Sequence, residues 1–169
     1  MVSYICRTKF KNMEKIAVFP GSFDPFTIGH ESIVKRALPL FDKIYIAIGI
    51  NVNKKGFFPL EKRLEWIKKT FEEEKKVFVD YYNGLTVDYC KKVNAMYILR
   101  GLRTSADFEY ERAIGQINKA LEHGIETVFF LTKPEHTFIA SNLVRDVIVN
   151  GGNASIFLPE KIKNEKFIE

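Results

Sequence analysis

Residues 16–30 read IAVFPGSFDPFTIGH, and this stretch contains the alternation of strand and helix on which the fold prediction depends. Its first four residues form an apolar run that is too short for a helix and is typical of a buried strand. Prolines and glycines follow, and from His30 onward apolar residues recur with helical spacing at Ile33, Val34 and Ala37. The stretch therefore predicts a strand, a tight loop and a helix in direct succession.

The same alternation of short apolar runs and helical stripes continues towards the C-terminus. Five runs predict buried strands, at residues 15–19, 43–50, 76–81, 95–99 and 127–131. Stripes predict helices at residues 30–41, 60–71 and 110–121, and further helices should begin near Ala140–Ser141 and after Pro159. Pro39 lies inside the first stripe, so we expect that helix to kink or end early.

Strands that alternate with helices predict an α/β fold, in which one domain contains a doubly wound, Rossmann-like parallel sheet of five strands. In such sheets, ligands bind beyond the carboxyl ends of the strands, where the strand order reverses. Polar residues that directly follow a strand are therefore the candidates for function. Residues 1–12 precede the first strand, so we expect an N-terminal extension followed by a domain that spans residues 13–169.

The composition excludes several classes of protein. The 169 residues are 46% hydrophobic and 28% charged, which fits a globular domain and not a disordered chain. No apolar run approaches the roughly 20 residues of a membrane span, and no secretory signal is visible. The two cysteines, Cys6 and Cys90, neither demand a disulfide nor form a zinc-binding pattern. We therefore expect a cytoplasmic protein with no membrane partner.

The net charge of +5 suits either nucleic acid or phosphorylated small molecules as ligands. The densest basic pairs, such as Lys68-Lys69 and Lys91-Lys92, lie where the predicted helices should face solvent. No nucleic-acid partner is therefore expected.

The loop at residues 20–30 has features of an anion site. A helix N-terminus carries free N–H groups and the positive end of the helix dipole, and Gly21 and Gly29 would let a phosphate approach the backbone. The loop matches neither the GxGxxG nor the GxxxxGK[ST] pattern. A lone histidine that opens an apolar stripe is more often a core residue, but Ser22 and the position after a strand favour a functional role for His30.

Four stretches carry a resemblance to a known family. Residues 21–30 resemble the [T/H]xGH signature of the nucleotidyltransferase superfamily. Three further stretches make the resemblance specific to one family of this superfamily. They are Asn53-Lys54-Lys55 after the second strand, ILRGLR (98–103) with DFEYE (107–111) after the fourth, and FIAS (138–141) after the fifth. Together these stretches resemble the bacterial phosphopantetheine adenylyltransferases over residues 13 to about 159.

The resemblance implies a nucleotidyltransferase fold and transfer of the adenylyl group of ATP to 4′-phosphopantetheine, giving dephospho-coenzyme A and pyrophosphate. The acceptor phosphate would attack in line without a covalent intermediate, with Mg²⁺ on the ATP phosphates. A phosphate monoester, with a second pKa of about 6, is largely dianionic at pH 7 and needs no general base. It does need positive charge and alignment. A homohexamer and coenzyme A as a feedback ligand are also implied.

The resemblance further implies roles for individual residues. The catalytic residues would be Ser22, His30, Lys54 and Arg100, with His30 donating to the oxygens that gain charge in the transition state. The acceptor site would comprise Ser22, Lys54, Thr86 and Arg100, where Lys54 and Arg100 grip the phosphate and Thr86 lines the pantetheine arm. The ATP site would comprise Ser22, Phe23, His30, Gly101, Leu102, Arg103, Glu111, His136, Thr137, Phe138, Ile139, Ala140, Ser141 and Asn142. No protein ligand of the metal is implied.

The sequence departs from the family pattern before the last helix. Residues 139–142 read IASN where the family has a serine-rich run, so Ser141 alone keeps a hydroxyl, beside Asn142. For Glu111, a solvated helix position is the alternative interpretation.

Two other functions stay open at this point. A different adenylyl- or cytidylyltransferase, acting on nicotinamide mononucleotide or glycerol phosphate, usually carries histidine where Thr27 stands and lacks the RGLR…DFEYE stretch. A non-enzymatic nucleotide- or RNA-binding module would not need His30, Lys54 and Arg100 together at strand ends. The sequence also has no aromatic motif of the kind found in RNA-recognition domains.

Overall fold

A computed structural model describes residues 13–50, 56–165 and 167 of the chain. In this part of the chain, five strands alternate with five α-helices and three short 3₁₀ helices. In order, the elements are β1 (Ile16–Gly21), α1 (Ile28–Ala37), a 3₁₀ helix (Leu38–Leu40), β2 (Lys43–Ile50), α2 (Leu60–Thr70), β3 (Val77–Asn83), α3 (Thr86–Lys92), β4 (Tyr97–Leu102), α4 (Ser105–Leu121), β5 (Glu126–Leu131), a 3₁₀ helix (Pro134–His136), α5 (Ser141–Val149) and a 3₁₀ helix (Ser155–Phe157).

All five strands are parallel and lie in the order β3-β2-β1-β4-β5, so the predicted doubly wound sheet is confirmed. The chain builds outward from β1 through β2 to β3 and then returns to the other side of β1. The strand order therefore reverses between β1 and β4. The loops that follow these two strands leave the sheet beside each other, which is where such folds bind ligands.

Alternate side chains of β1 contribute to two apolar cores, one on each face of the sheet. Ala17 and Phe19 belong to the core that contains residues of α1 and α2, while Ile16 and Val18 belong to the core that contains residues of α3. A third cluster joins Trp66 of α2 to α5 and the C-terminal turns. Burial on both faces explains why the strands read as continuous apolar runs.

Helix α4 contributes little to these cores. Of its 17 residues, Glu111 alone is buried, while Tyr110, Ile117 and Leu121 are each more than half exposed. The helix therefore keeps an apolar face uncovered within the described chain.

The predicted helices are largely confirmed, with shifted ends. Helix α1 ends before Pro39, as expected of a residue that lacks a backbone N–H, and α5 begins at Ser141. The helix expected after Pro159 is wrong: residues 160–164 form turns, because Ile162 is their one apolar residue and no stripe exists. Helix α3 was not predicted, because its seven residues are too few to show a helical repeat of apolar residues. Within the described ranges, no helix is long and apolar enough to cross a membrane.

Candidate active site

The loop between β1 and α1 is built around a buried aromatic cluster. Phe23 has a φ of 45°, and its ring lies 5.3 Å from that of Phe26 and 5.1 Å from that of His30, measured between centroids. Gly21 is required beside it, since a Cβ at that position would lie 2.7 Å from the Phe23 ring. Burial of the rings offsets the backbone strain and fixes the loop at the start of α1.

Hydrogen bonds fix the orientation of His30 and the position of its proton. Its Nδ1 accepts from the backbone N–H of Thr27 at 3.1 Å, and the Thr27 hydroxyl lies 3.0 Å from the same nitrogen. Burial, together with the positive charges of Arg103 and Arg100, lowers the pKa of His30 to about 4. The ring is therefore neutral at pH 7, and because Nδ1 accepts, the proton lies on Nε2. His30 is thus a donor at Nε2 and not a base there.

Arg100 lies inside β4, not at its end as predicted, because pairing with β5 continues to Leu102. Its guanidinium makes a forked ion pair with Glu111 of α4, in which Nε donates to Oε2 at 2.7 Å and Nη2 donates to Oε1. Nη1 donates to the carbonyl oxygen of Pro20 at 2.6 Å. An arginine has five N–H donors, so these bonds leave two for a ligand.

Arg103 directly follows β4 and is held by the first turn of α4. Its backbone N–H and its Nε both donate to Oδ2 of Asp107, at 3.0 and 3.1 Å, and its Nη2 donates to Oδ1 at 3.4 Å. Asp107 is fixed in turn, since its backbone N–H donates to the hydroxyl of Thr104, which caps α4. Each arginine is therefore paired with one carboxylate of α4.

A cavity of about 390 Å³ opens at the carboxyl ends of β1 and β4. Arg100 lines it together with most of the residues predicted for ATP, namely Ser22, Phe23, His30, Gly101, Arg103, Glu111, His136, Ile139, Ala140, Ser141 and Asn142. The cavity is not lined by Leu102, Thr137 or Phe138, which were also predicted for ATP. Leu102 is buried, whereas Thr137 and Phe138 face solvent.

A second cavity, of about 190 Å³, shares a wall with the first. Thr86, predicted for the acceptor, lines it, and its hydroxyl oxygen lies 2.8 Å from that of Tyr82. Arg100 and Glu111 line both cavities, so their ion pair belongs to the wall between them. Sequence motifs assigned these two residues to different ligands, and the structure joins their charged groups in one pair.

Asp24 ties the β1–α1 loop to two other parts of the molecule. Its buried carboxylate accepts from the backbone N–H groups of Phe57 and Phe58, at 2.7 and 3.0 Å. Its carbonyl oxygen accepts from Arg145 of α5, whose guanidinium also lies 3.9 Å from the Asp24 carboxylate. The loop is therefore anchored both to the segment before α2 and to α5.

The cavity-lining residues that were not predicted include Asp107, Arg145 and Tyr82. Asp107 stands four residues from both Arg103 and Glu111, and this helical spacing was the available signal. Tyr82 gave no signal, since only the folded chain brings it to the cavity. Lys54 lies outside the described residues. Among the residues that the structure describes, no group of three or more His, Cys, Asp or Glu side chains is arranged to hold a metal ion.

Comparison with known proteins identifies the family. A family model described as cytidylyltransferase-like matches residues 18–147. The chain is 55% identical over 147 residues to a phosphopantetheine adenylyltransferase of Flavobacterium psychrophilum, an alignment that covers 87% of this chain and 97% of that protein. It is 53% identical over 150 residues to the protein of that name in Flavobacterium johnsoniae, covering 89% and 98% of the two chains.

Solved structures agree on the fold. A bifunctional NMN adenylyltransferase/ADP ribose pyrophosphatase from Francisella tularensis, complexed with AMP and a manganese ion, superposes with a TM-score of 0.65 at 17% identity, covering 88% of this chain and 45% of that one. At that identity the likeness concerns the fold alone. The family model and the close relatives together show that the chain belongs to the phosphopantetheine adenylyltransferase family of cytidylyltransferase-like proteins.

Proposed function

We propose that this chain transfers the adenylyl group of ATP to 4′-phosphopantetheine, giving dephospho-coenzyme A and pyrophosphate. The observation that carries the proposal is the meeting of His30, Arg100 and Arg103 in one cavity at the N-terminus of α1. Two polyanions must be held together for this reaction, and guanidinium groups with free helix amides meet that need. The names of the close relatives agree with the assignment.

The proposed reaction is a single displacement. An oxygen of the acceptor phosphate forms a bond to the α-phosphorus of ATP, while the bond from that phosphorus to the bridging oxygen breaks. Pyrophosphate leaves with the electron pair, and no proton has to be removed from the dianionic acceptor. His30 donates from Nε2 to the oxygens that gain charge, a role that its fixed tautomer supports.

The two cavities suggest how the substrates divide the site. In this proposal ATP occupies the larger cavity, with its phosphates near Arg103 and residues 136–142 closing over the nucleotide. Within the described chain, the buried Nδ1 of His136 has no hydrogen-bond partner, as expected of a group whose partner is a ligand. The pantetheine arm takes the smaller cavity past Thr86, which brings the acceptor phosphate to Arg100, and Lys54 adds a second positive charge.

We propose Mg²⁺ as the cofactor, carried by the phosphates of ATP. Magnesium at such sites keeps several waters and takes few protein ligands. That preference agrees with a cavity in which Asp107 and Glu111 are both paired with arginines. When bound, the ion supplies positive charge to the phosphates, while the residues of this chain bind and align the substrates.

Three further proposals concern the whole enzyme. A homohexamer would cover the exposed apolar side chains of α4, namely Tyr110, Ile117 and Leu121. Coenzyme A would act as a feedback ligand, because it shares the pantetheine arm of the product and so competes for the smaller cavity. A cytoplasmic location would supply the ATP that the proposed reaction consumes.

Pyrophosphate release by the purified chain, measured with ATP and each candidate acceptor, tests the proposed activity. We expect turnover of 4′-phosphopantetheine that is much faster than that of nicotinamide mononucleotide, and a strong preference for ATP over CTP. Equal or faster turnover of nicotinamide mononucleotide would contradict the proposal.

The role of His30 is tested by His30→Ala. We expect kcat to fall by about 10²–10³-fold with a smaller effect on ATP binding, because a donor aimed at developing charge is typically worth about 3–4 kcal/mol. His123→Ala, at an exposed position after α4, is the matched control. A kcat of His30→Ala within about threefold of the parent would make His30 a packing residue only.

A further inference from the structure

Two carboxylates of α4, Asp107 and Glu111, lie one helical turn apart and line the larger cavity. A carboxylate repels a phosphate group, so each of them opposes the binding of a polyanion in that cavity. If the cavity binds a polyanion, these carboxylates must also favour its binding in a way that outweighs the repulsion.

Each carboxylate holds one arginine by more than one hydrogen bond. Glu111 accepts from both Nε and Nη2 of Arg100, and Oδ2 of Asp107 accepts from both the backbone N–H and the Nε of Arg103. A free arginine side chain samples many rotamers, and a forked pair selects one of them. Both arginines still have N–H groups that are not used by these bonds.

We propose that Asp107 and Glu111 are positioning residues that aim the two arginines at different phosphates. Glu111 acts on the acceptor phosphate through Arg100, and Asp107 acts on the ATP phosphates through Arg103. Helix α4 thereby contributes one positioning residue for each substrate. This inference rests on the proposed function, because that function assigns the two arginines to the two substrates.

The burial of the two pairs determines how each can be tested. The side chains of Asp107 and Arg103 are 26% and 37% exposed, and a pair of that kind contributes little to stability. The side chain of Glu111 is only 10% exposed, so its replacement can also weaken the fold. Replacement of Asp107 therefore tests positioning with only a small effect on stability, and thermal unfolding must accompany the Glu111 variant.

The first arm measures ATP binding alone, by calorimetry, in Asp107→Asn. We expect ATP affinity to fall at least about tenfold, because a small misplacement of a phosphate ligand is costly. In an Arg103→Ala background, Asp107→Asn should cause no further loss, since its effect passes through Arg103. Tighter ATP binding in Asp107→Asn, or an equal loss in both backgrounds, would overturn the proposal.

The second arm measures steady-state kinetics in Glu111→Gln, which keeps the shape of the side chain. We expect the KM for 4′-phosphopantetheine to rise at least about tenfold and the KM for ATP to rise clearly less, although Glu111 also lines the cavity proposed for ATP. Glu109→Gln is the control, because it removes the same charge from an exposed position on the same helix, where Glu109 pairs with Arg112. Equal changes in both KM values would refute the division between the two carboxylates. If Glu111→Gln does not fold, Glu111→Asp, which keeps the charge but shortens the side chain that holds Arg100, replaces it in the same assay with the same expected difference between the two KM values.

The two arms separate this inference from the proposed function. A parent protein that does not use 4′-phosphopantetheine contradicts the proposed function, whereas the ATP-binding arm still tests Asp107 and Arg103. A parent that turns over 4′-phosphopantetheine, with variants that behave like the Glu109→Gln control, contradicts the positioning role alone.

Discussion

His30 combines packing with access to the cavity. Its ring lies within 5.3 Å of those of Phe23 and Phe26, yet the residue lines the larger cavity. The sequence left a core role and a functional role as alternatives for this histidine. The structure makes the two compatible, because the buried Nδ1 side is satisfied by Thr27 and the proton is left on Nε2.

The lowered pKa of His30 makes stability depend on pH in a defined direction. An unfolded histidine titrates near 6.5, whereas His30 in the folded chain titrates near 4. Between these values the unfolded state binds more protons than the folded state, so the folded state loses stability as the pH falls. The loss caused by His30 is negligible above about pH 6.5 and reaches about 3 kcal/mol near pH 4. Urea unfolding of the parent and of His30→Gln, compared across this range, should show the parent losing more stability as the pH falls. Parallel curves for the two proteins would contradict the shift.

The two arginines should differ in what their loss affects. We expect Arg100→Ala to weaken binding of 4′-phosphopantetheine far more than that of ATP, and Arg103→Ala to do the reverse, by about 2–4 kcal/mol in each case. Arg100→Ala should also lower stability, because it strands the buried carboxylate of Glu111. Arg100→Lys should restore binding only in part, since lysine lacks the planar fork.

Calorimetry with each substrate, on variants shown to be folded, measures this difference. Equal weakening of both ligands by Arg100→Ala and Arg103→Ala would contradict the division of the site into acceptor and nucleotide halves.

At the scale of elements, the anchoring of the β1–α1 loop depends on Asp24. Asp24→Ala removes the acceptor of the Phe57 and Phe58 N–H groups and the carboxylate near Arg145. We expect the free energy of unfolding to fall by about 2–4 kcal/mol, because buried donors and a cation lose their partner. Chemical denaturation measures the loss, and Asp146→Ala, at an exposed position of α5, is the control. A loss below about 0.5 kcal/mol would show that the loop is held by other contacts.

The sequence predicted the elements whose apolar residues form a clear run or recur with a clear period, and it missed elements that lack such a pattern. The five strands and α2 were visible because buried runs and helical stripes record burial directly. The stripe of α4 also predicted a helix correctly, although most of its apolar side chains stay exposed in the described chain. The ends were less visible: β4 runs past Arg100 because β5 continues to pair with it, and that pairing is tertiary. The fork between Arg100 and Glu111 was hidden for the same reason, since the match of each residue to a motif says nothing about their mutual contact.

At the scale of the whole molecule, we expect the domain to function without its first twelve residues. Deletion of Met1–Asn12 should leave kcat and both KM values unchanged, because β1 and every site candidate lie beyond Met13. Steady-state kinetics and size-exclusion chromatography of the truncated chain are the measurements. A truncated protein that is folded but inactive, or that changes its assembly state, would show that the extension contributes to the enzyme.

The placement of β1 at the centre of the sheet delays the moment at which a growing chain can hold ATP. Pro20 and Arg100 share a hydrogen bond across 80 positions of sequence. A nascent chain that has made β1, β2 and β3 already has the loop with His30 but lacks both arginines. Contacts between such distant positions also form more slowly than local ones. We therefore expect partly synthesised chains not to bind the nucleotide, so that substrate binding becomes a property of the nearly finished protein.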